Sequence, residues 1–578
     1  MLPSCHPQQC IWNPKVGKRI KVQNLQERND LNGRIGTVIS PLDEATGRIG
    51  VRIFRILGAT SEIIDIKLVN VVAYPVLFLD GFDVIDSGDS ILGRIAIAKR
   101  EYKPGEIVLV EPPTLLLNPE MGYNGMIQAF VEASPEARKE ALDMYCPCIV
   151  PDDDAENEDS SFSSTPSKAE QTKQRLKMLE EEYDRFQRDV PIVKNLLPLE
   201  NAKKLLRIID VNAHSLSLER TGESDEKQST HPEKYTALFA KGSKVEHSCN
   251  PNLSWVAEDE KLQYIAARQM KQGDRLSISY QTAMCEQPRR ARQNFLRRNK
   301  DFTCKCDRCQ GPDECNPYVV SCPTCNNIAA VAFLYGANNE FRCIVCQSIL
   351  PLASMQAQKE WEKSFEQHLN RMQHGLDGGS IVDEGPRALA RILKLHNAMA
   401  EKLHPLHWLY QKCYRLIGSI AASFGRFQMQ TCDGQSSTDS MAAGFLYLST
   451  TALLFQARWI QQVASVLGGT CTLQDCATQI ISAPKMPRLP SLQGIQDLVD
   501  KLCEKHLATY PLDMAHSVFY AGQDWLLCGD PAKVARLYRY FSPLFKRWIR
   551  LSDDNREKMI LLIESEGKEN QFGNHLLL

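Results

Sequence analysis

The sequence predicts an α+β, multidomain chain, and three features carry that expectation. Short Val/Ile-rich runs broken by turn residues fill 14–75 and return in 78–118 and 233–312. Ten of the twenty cysteines crowd into 249–346 at short spacings. From about 353 onward, apolar residues recur at i, i+3 and i+4. The 578 residues leave room for about three or four domains of roughly 150 residues each.

Hydrophobic content of 43% and charged content of 24% are ordinary for a globular protein. A net charge of −2 supplies no global attraction to nucleic acid or membrane. The first residues lack the basic start and apolar run of a secretory signal. A cytoplasmic or nuclear location is therefore expected, with cysteines that bind metal rather than form disulfides. The most apolar stretch, 441–455, is interrupted by Ser449, Thr450 and Thr451 and followed by Arg458. It is too short and polar to span a bilayer, so a buried helix and no membrane partner are expected.

The runs at 19–22, 35–39, 49–53 and 63–68, with turns at 31–33 and 45–47, predict a small β-barrel-like domain over 14–75. It suits a docking module or an inert appendage. A second domain covers 78–312. Its insert, about 120–235, holds an acidic, Ser-rich stretch at 151–167 that is expected to be mobile, then helices at 168–188 and 199–209. A compact cysteine module fills 313–350. Helices are expected at 386–403, 407–424, 440–466, 492–506, 512–527 and 532–551, paired in series as an α-helical repeat-like (TPR-like) domain over 353–578. Such an array suits one rigid wall of a substrate cleft.

Cys322-x-x-Cys325 and Cys343-x-x-Cys346 each aim two thiolates at one point. Together they predict a zinc ribbon whose closed tetrahedral site is structural. Cys304-x-Cys306-x-x-Cys309 offers three more thiolates and needs a fourth. Cys315 is near in sequence, and Cys249 sits inside a further motif.

That motif is Glu246-His247-Ser248-Cys249-Asn250-Pro251-Asn252, followed by Gly273-Asp274-Arg275-Leu276-Ser277-Ile278-Ser279-Tyr280 and then Phe302-Thr303-Cys304-Lys305-Cys306-Asp307-Arg308-Cys309. These blocks resemble the SET-domain methyltransferases, most closely the SET-and-MYND family, which reads NHSC-x-PN, GEE(I/L)TISY and F-x-C-x-C-x-x-C in that order. Upstream, 93–106 and Glu111-Pro112-Pro113 resemble the family's first SET segment. The resemblance covers about 80–350, and the helical C-terminus loosely.

The resemblance implies a β-rich SET fold with a helical insert, and an S-adenosylmethionine-dependent protein-lysine N-methyltransferase. Its substrate would be a lysine of a histone or other protein or peptide, and the chain would act as a monomer. Tyr280 would be the catalytic residue. Gly93, Arg94, Ile95, Asn212, Glu246, His247 and Phe302 would bind the cofactor, His247 through its backbone and Phe302 against the adenine. Cys249 would join Cys304, Cys306 and Cys309 on one zinc ion, and Cys322, Cys325, Cys343 and Cys346 would hold a second.

The departures from the family pattern bear on activity. Ile95 replaces a glycine, and a β-branched residue tolerates neither positive φ nor close approach. Glu246 replaces asparagine, losing an amide donor and adding charge, so that asparagine is expected to serve the cofactor better. Lys300 replaces an aromatic that lines the lysine channel, and His214 stands where another aromatic is common. The MYND zinc finger is missing, because Cys146-Pro147-Cys148 cannot build its two sites. These changes support an alternative, a catalytically degenerate SET-fold scaffold. A third reading, nucleic-acid binding, rests on the ribbon and on Arg289, Arg290, Arg292, Arg297 and Arg298, which equally suit a solvated helix face.

Overall fold

The computed structural model describes residues 19–22, 24–28, 35–38, 40–53, 62–73, 79–88, 93–117, 121–146, 168–218, 233–258, 261–280, 287–300, 302–336, 338–378, 381–431, 436–467, 471–479, 499, 502, 512–527, 531–548, 559–560 and 562–564. The 151–167 stretch and nearly all of 492–506 lie outside the described residues. The chain divides into two compact units. One comprises Met1–Ala96, Ile107–Val245 and Trp255–Tyr264, the other Ile97–Glu106, Glu246–Ser254 and Ile265–Leu578.

The first unit opens with β1 (Arg19–Val22), β2 (Ile35–Val38), β3 (Arg48–Ile53), β4 (Glu62–Lys67) and β5 (Val71–Ala73). They form one antiparallel sheet in the order β4-β3-β2-β1-β5. Ile20 and Val22, then Ile49 and Val51, alternate inward at the strand period of two and are fully buried with Val38 and Ile66. Among the described residues β4 and β5 are sheet edges, so no closed barrel is seen there.

Next come β6 (Leu79–Asp80), β7 (Phe82–Asp86), β8 (Arg94–Ala98), β9 (Ile107–Glu111) and β10 (Leu115–Leu117). The helices α1 (Gly122–Glu132), α2 (Pro135–Leu142), α3 (Lys168–Asp189), α4 (Val193–Leu196) and α5 (Leu199–Asn212) follow. Ser134 caps α2 by accepting from the Ala137 amide, and Pro135 opens the helix where no amide hydrogen is needed. In α5, Ala202, Leu205, Leu206 and Ile208 turn one face into a core shared with Phe130, Leu179 and Tyr183. α3 is helical despite its charge, because Leu179 and Tyr183, four apart, anchor it to that core. Strands β11 (His214–Leu218), β12 (Glu233–Leu238), β14 (Leu253–Glu258) and β15 (Lys261–Ala266) complete a sheet in the order β10-β12-β11-β14-β15-β9-β6.

In the second unit, β13 (Glu246–His247) lies parallel to β16 (Ser277–Ile278). Then follow α6 (Arg289–Lys300) and the one-turn α7 (Asp307–Gln310). The ribbon is an antiparallel sheet of β17 (Tyr318–Cys322), β18 (Asn327–Tyr335), β19 (Glu340–Cys343) and β20 (Ile349–Leu350). The helical part begins with α8 (Gln356–Gly378), α9 (Ile381–Lys402), α10 (Leu409–Thr431) and α11 (Ser436–Leu467). It continues with α12 (Leu473–Gln479), α13 (Leu512–Leu527) and α14 (Pro531–Trp548).

Successive long helices pack on one another, α9 on α10, α10 on α11, α11 on α13 and α13 on α14. Their unequal lengths, from 16 to 32 residues, carry no fixed repeat. Pro386 falls inside α9 rather than at its start. The 441–455 stretch lies within α11, and the hydroxyls that interrupt it are buried but paired. Ser449 donates to Asp524 at 2.6 Å, Thr450 to the Leu446 carbonyl at 2.9 Å and Thr451 to the Tyr447 carbonyl at 2.8 Å. No helix among the described residues is long and apolar enough to cross a membrane.

Candidate active site and metal centres

The second unit builds its site on the short parallel pair β13–β16. Asn252 holds the crossing closed: its Nδ2 donates to the Arg275 carbonyl at 2.8 Å and its Oδ1 accepts from the Ser277 amide at 2.8 Å. The Ser248 amide donates to the Ile278 carbonyl at 2.9 Å. Ordinary backbone complementarity thus brings the His247–Cys249 segment against the strand that leads into Tyr280.

His247 ties this arrangement together. Its Nδ1 accepts from the Tyr280 amide at 3.1 Å, and its Nε2 lies 3.2 Å from the Cys249 sulfur. An accepting Nδ1 leaves the proton on Nε2, which then donates toward sulfur. Burial pushes the imidazole down to about 4, so the ring is neutral at physiological pH. Its centroid is 5.2 Å from the Tyr280 ring and 5.9 Å from Phe302, and Tyr280 meets Phe302 edge-on at 6.3 Å. Lys300, the last residue of α6, sets its ammonium 5.6 Å from the Tyr280 ring centroid.

Cys249, Cys304, Cys306 and Cys309 converge, their sulfurs all within 4.8 Å of one another. A tetrahedron with metal–sulfur arms of about 2.3 Å has edges of about 3.8 Å. The Cys249 sulfur lies 4.0 Å from that of Cys304 and 3.5 Å from that of Cys309, so four thiolates of this set fit a zinc ion. Cys315, the other residue available by sequence, lies elsewhere: Arg308 donates to its sulfur at 3.4 Å. Arg308 also donates to the Cys249 carbonyl at 2.8 Å and pairs with Glu314. Arg292 is fully buried near Asp313, at 3.7 Å, and Glu314, at 4.0 Å. Two buried guanidiniums thus flank a site whose loaded form would be anionic.

The ribbon cysteines form a second group, with sulfur separations of 3.6 Å (Cys322–Cys346) and 3.9 Å (Cys325–Cys343). The two knuckles repeat one backbone turn. Asn326 (φ 52°) and Gln347 (φ 58°), each directly after the second cysteine of its pair, both adopt the left-handed conformation.

Glu246 is engaged by Arg275, which reaches its carboxylate with both Nε and an Nη. Burial still outweighs this partner and raises the carboxyl above its ordinary range.

The remaining sequence-assigned residues lie in the first unit, where Arg94 and Asn212 both reach the short segment after α2. Arg94 donates to the Asp143 carboxylate at 2.8 Å and its carbonyl at 2.9 Å. Asn212 spends its amide on the Tyr145 carbonyl at 2.8 Å and the Ile208 carbonyl at 2.9 Å. Gly93 has φ +58°, which explains a glycine there. Ile95 lies within β8 and is not among the residues with positive φ, so the backbone objection to a β-branched side chain falls away. His214 packs edge-on against Trp255 at 4.8 Å and Phe239 at 5.7 Å. Cys146 joins neither metal group.

Sequence reasoning missed the pairing of Arg275 and Arg308, and it set Arg289 and Arg292 on a solvated basic face although both are buried. A basic residue inside a strand approach or an already basic helix gives no signal that it will be buried or paired.

Residues 93–281 match the family model for the SET domain. These residues form a SET domain. Its similarity runs toward the SET-and-MYND family: it is 26% identical over 152 residues to the SET domain-containing protein SmydA-8, isoform B, of Drosophila melanogaster, across 25% of this chain and 32% of that one. A SET domain-containing protein of Acanthamoeba polyphaga mimivirus, L678, is 32% identical over 79 residues, across 14% of this chain and 30% of that one. The matched stretch is thus about a third of the length of these relatives. Among solved structures, the SET domain of LSMT bound to MeLysine and AdoHcy aligns over 74% of this chain and 93% of its own, at 11% identity and a TM-score of 0.26.

Proposed function

We propose that the chain is an S-adenosylmethionine-dependent protein-lysine N-methyltransferase of the SET type, with Tyr280 as its catalytic residue and two structural zinc ions. The observation that best supports this reading is the anchoring of Tyr280. Its amide is held by His247, its ring is flanked by Phe302, and His247 in turn reaches the Cys249 thiol. The cysteine group would thereby fix the geometry of the reacting centre.

The donor set fits the cofactor unevenly. Phe302, whose ring lies 5.9 Å from that of His247, is an aromatic of the kind a purine packs against. Glu246 can accept from an ammonium, though Arg275 already holds it. S-adenosylmethionine would supply the activated methyl group, and the chain must supply a neutral, aligned amine. Free lysine has a pKa of about 10.4. A second cation nearby disfavours the protonated amine, and the Lys300 ammonium stands against the Tyr280 ring. The Tyr280 hydroxyl would orient the amine, and alignment alone can supply several kcal/mol.

Calorimetric titration with S-adenosylmethionine, alongside methyl incorporation into lysine peptides, tests this. Tyr280→Phe should keep cofactor affinity and lower the rate by on the order of 10²-fold. Unchanged methylation by Tyr280→Phe would refute the mechanism.

A SET-fold scaffold without transfer is the second reading. It is favoured by the engagement of Glu246 by Arg275 and of Asn212 by the Tyr145 carbonyl. Absence of cofactor binding at millimolar concentration would select it.

A further inference from the structure

The geometry points to an acidic protein segment, a lysine flanked by Asp and Glu, as the substrate class taken at Tyr280. This rests on the methyltransferase reading only for where the lysine enters; the surface argument is independent of transfer.

Cations cluster along the chain around Lys300, the residue set against Tyr280. Lys300 lies over its ring at 5.6 Å. Arg297 precedes it by three residues on α6 and so shares its side of the helix. Arg297 and Arg298 are exposed, and neither pairs with a carboxylate among the described residues. Lys305, exposed, follows in the cysteine segment. Within 297–307 these four cations face two carboxylates in the sequence, the exposed Asp307 and Asp301, the latter outside the described residues as is Glu286 further upstream. Glu246, also in this unit, is engaged by Arg275. Of the neighbouring cations, Arg290 pairs with Glu366 at 3.4 Å, and Arg292 and Arg308 are buried among Asp313 and Glu314.

A cation beside the reacting residue helps an incoming amine lose its proton, but it repels a segment rich in Lys and Arg. One pair of unit charges about 6 Å apart at intermediate dielectric is worth roughly tenfold in an equilibrium constant. Acidic residues on either side of the target lysine turn the same charges into attraction, and raise the association rate as well. A nucleic acid would also be drawn to these charges, but it offers no lysine for the ring of Tyr280.

The test uses three fluorescein-labelled peptides with one central lysine, flanked by acidic, neutral or basic residues. Anisotropy with the full zinc-loaded chain is measured at low and physiological salt, and methyl incorporation is scored on the same peptides. The acidic peptide should bind about tenfold or more tighter than the neutral one, with the gap narrowing as salt rises. Arg297→Glu, at an exposed position, should reverse the order, and Lys300→Tyr should shrink it. Equal or tighter binding of the basic peptide overturns the inference and leaves the enzyme reading intact. Acidic-selective binding with no methyl incorporation supports the surface and removes the enzyme. Tighter binding of a DNA or RNA duplex, lost in the same variants, would overturn the peptide in favour of nucleic acid.

Discussion

Arg275 grips the carboxylate of Glu246 through both Nε and an Nη, across the junction where β13 meets the approach to β16. The departure at 246 is therefore one half of a pair. From sequence alone, asparagine at 246 is the better cofactor partner. With Arg275 in place, Glu246→Asn removes the ion and leaves a guanidinium facing an amide. We expect the single change to leave cofactor affinity unimproved and to cost about 0.5–1 kcal/mol of stability, since both groups are partly exposed. Glu246→Asn combined with Arg275→Gln should bind cofactor more tightly than the single variant. Calorimetric titration and thermal unfolding of the three proteins decide this; a single variant that already binds more tightly than the wild type would show that the pair is incidental.

The two cysteine groups should behave as separate zinc sites. Elemental analysis of the native protein should find two zinc ions per chain, given sulfur separations of 3.5–4.0 Å in both sets. Cys249→Ser should release one ion and disturb His247 and Tyr280, because His247 Nε2 lies 3.2 Å from that sulfur. Cys343→Ser should release the other and leave the aromatic cluster intact. Loss of both ions from either single variant would disprove the separation.

Much of this site was legible because its signals are local. Paired thiols two residues apart announce a metal knuckle, and the residues converging on Cys249 follow from ordered motifs. What escaped depends on three-dimensional register. Arg275 meets Glu246 only because Glu246 aligns with Ser277 in a two-residue parallel pair. The concern over Ile95 presumed a backbone conformation that the strand at that position does not adopt. In the helical part, Pro386 looks like a helix start, yet α9 begins five residues earlier. α8 was not singled out because its buried positions include Gln358 and Glu362, which no apolar pattern reveals.

Glu362 joins the ribbon to the helical part. It accepts from the Tyr318 hydroxyl at 2.8 Å, the Trp408 indole at 3.1 Å and the Asn316 amide at 3.4 Å. One turn earlier, Gln358 pairs with both the amide and the carbonyl of Val319. Glu362→Ala strands three donors in a buried setting and should cost on the order of 2–4 kcal/mol. Glu362→Gln retains an acceptor of the same size and should cost less. Thermal unfolding reads the stability, and the rate of zinc release from the ribbon reads whether the joint is its support. Equal stability of the alanine variant and the wild type would rule out Glu362 as the fastening point.

Acid should destabilise the helical part. His396, His404 and His407 are all buried within it, and burial pushes each imidazole down to about 4. The surroundings do not reverse this. His396 lies against the rings of Tyr410 and Tyr414, His404 donates to the Ala477 carbonyl at 3.2 Å, and His407 faces Glu362 and His404. In the unfolded chain each imidazole titrates near 6.5. Between those values the unfolded state binds more protons than the folded one, so stability rises with pH there. It is complete above about 6.5 and falls as pH drops toward 4, by roughly 1.4 kcal/mol per unit for each group. His396→Phe should flatten that slope, since a neutral ring of similar shape would then stand between the tyrosines. Denaturant unfolding followed by helical circular dichroism, from pH 7.5 to 4.5, measures it. A stability that is level across this window in the wild type, or an equal slope in His396→Phe, would show that the buried rings do not set the acid response.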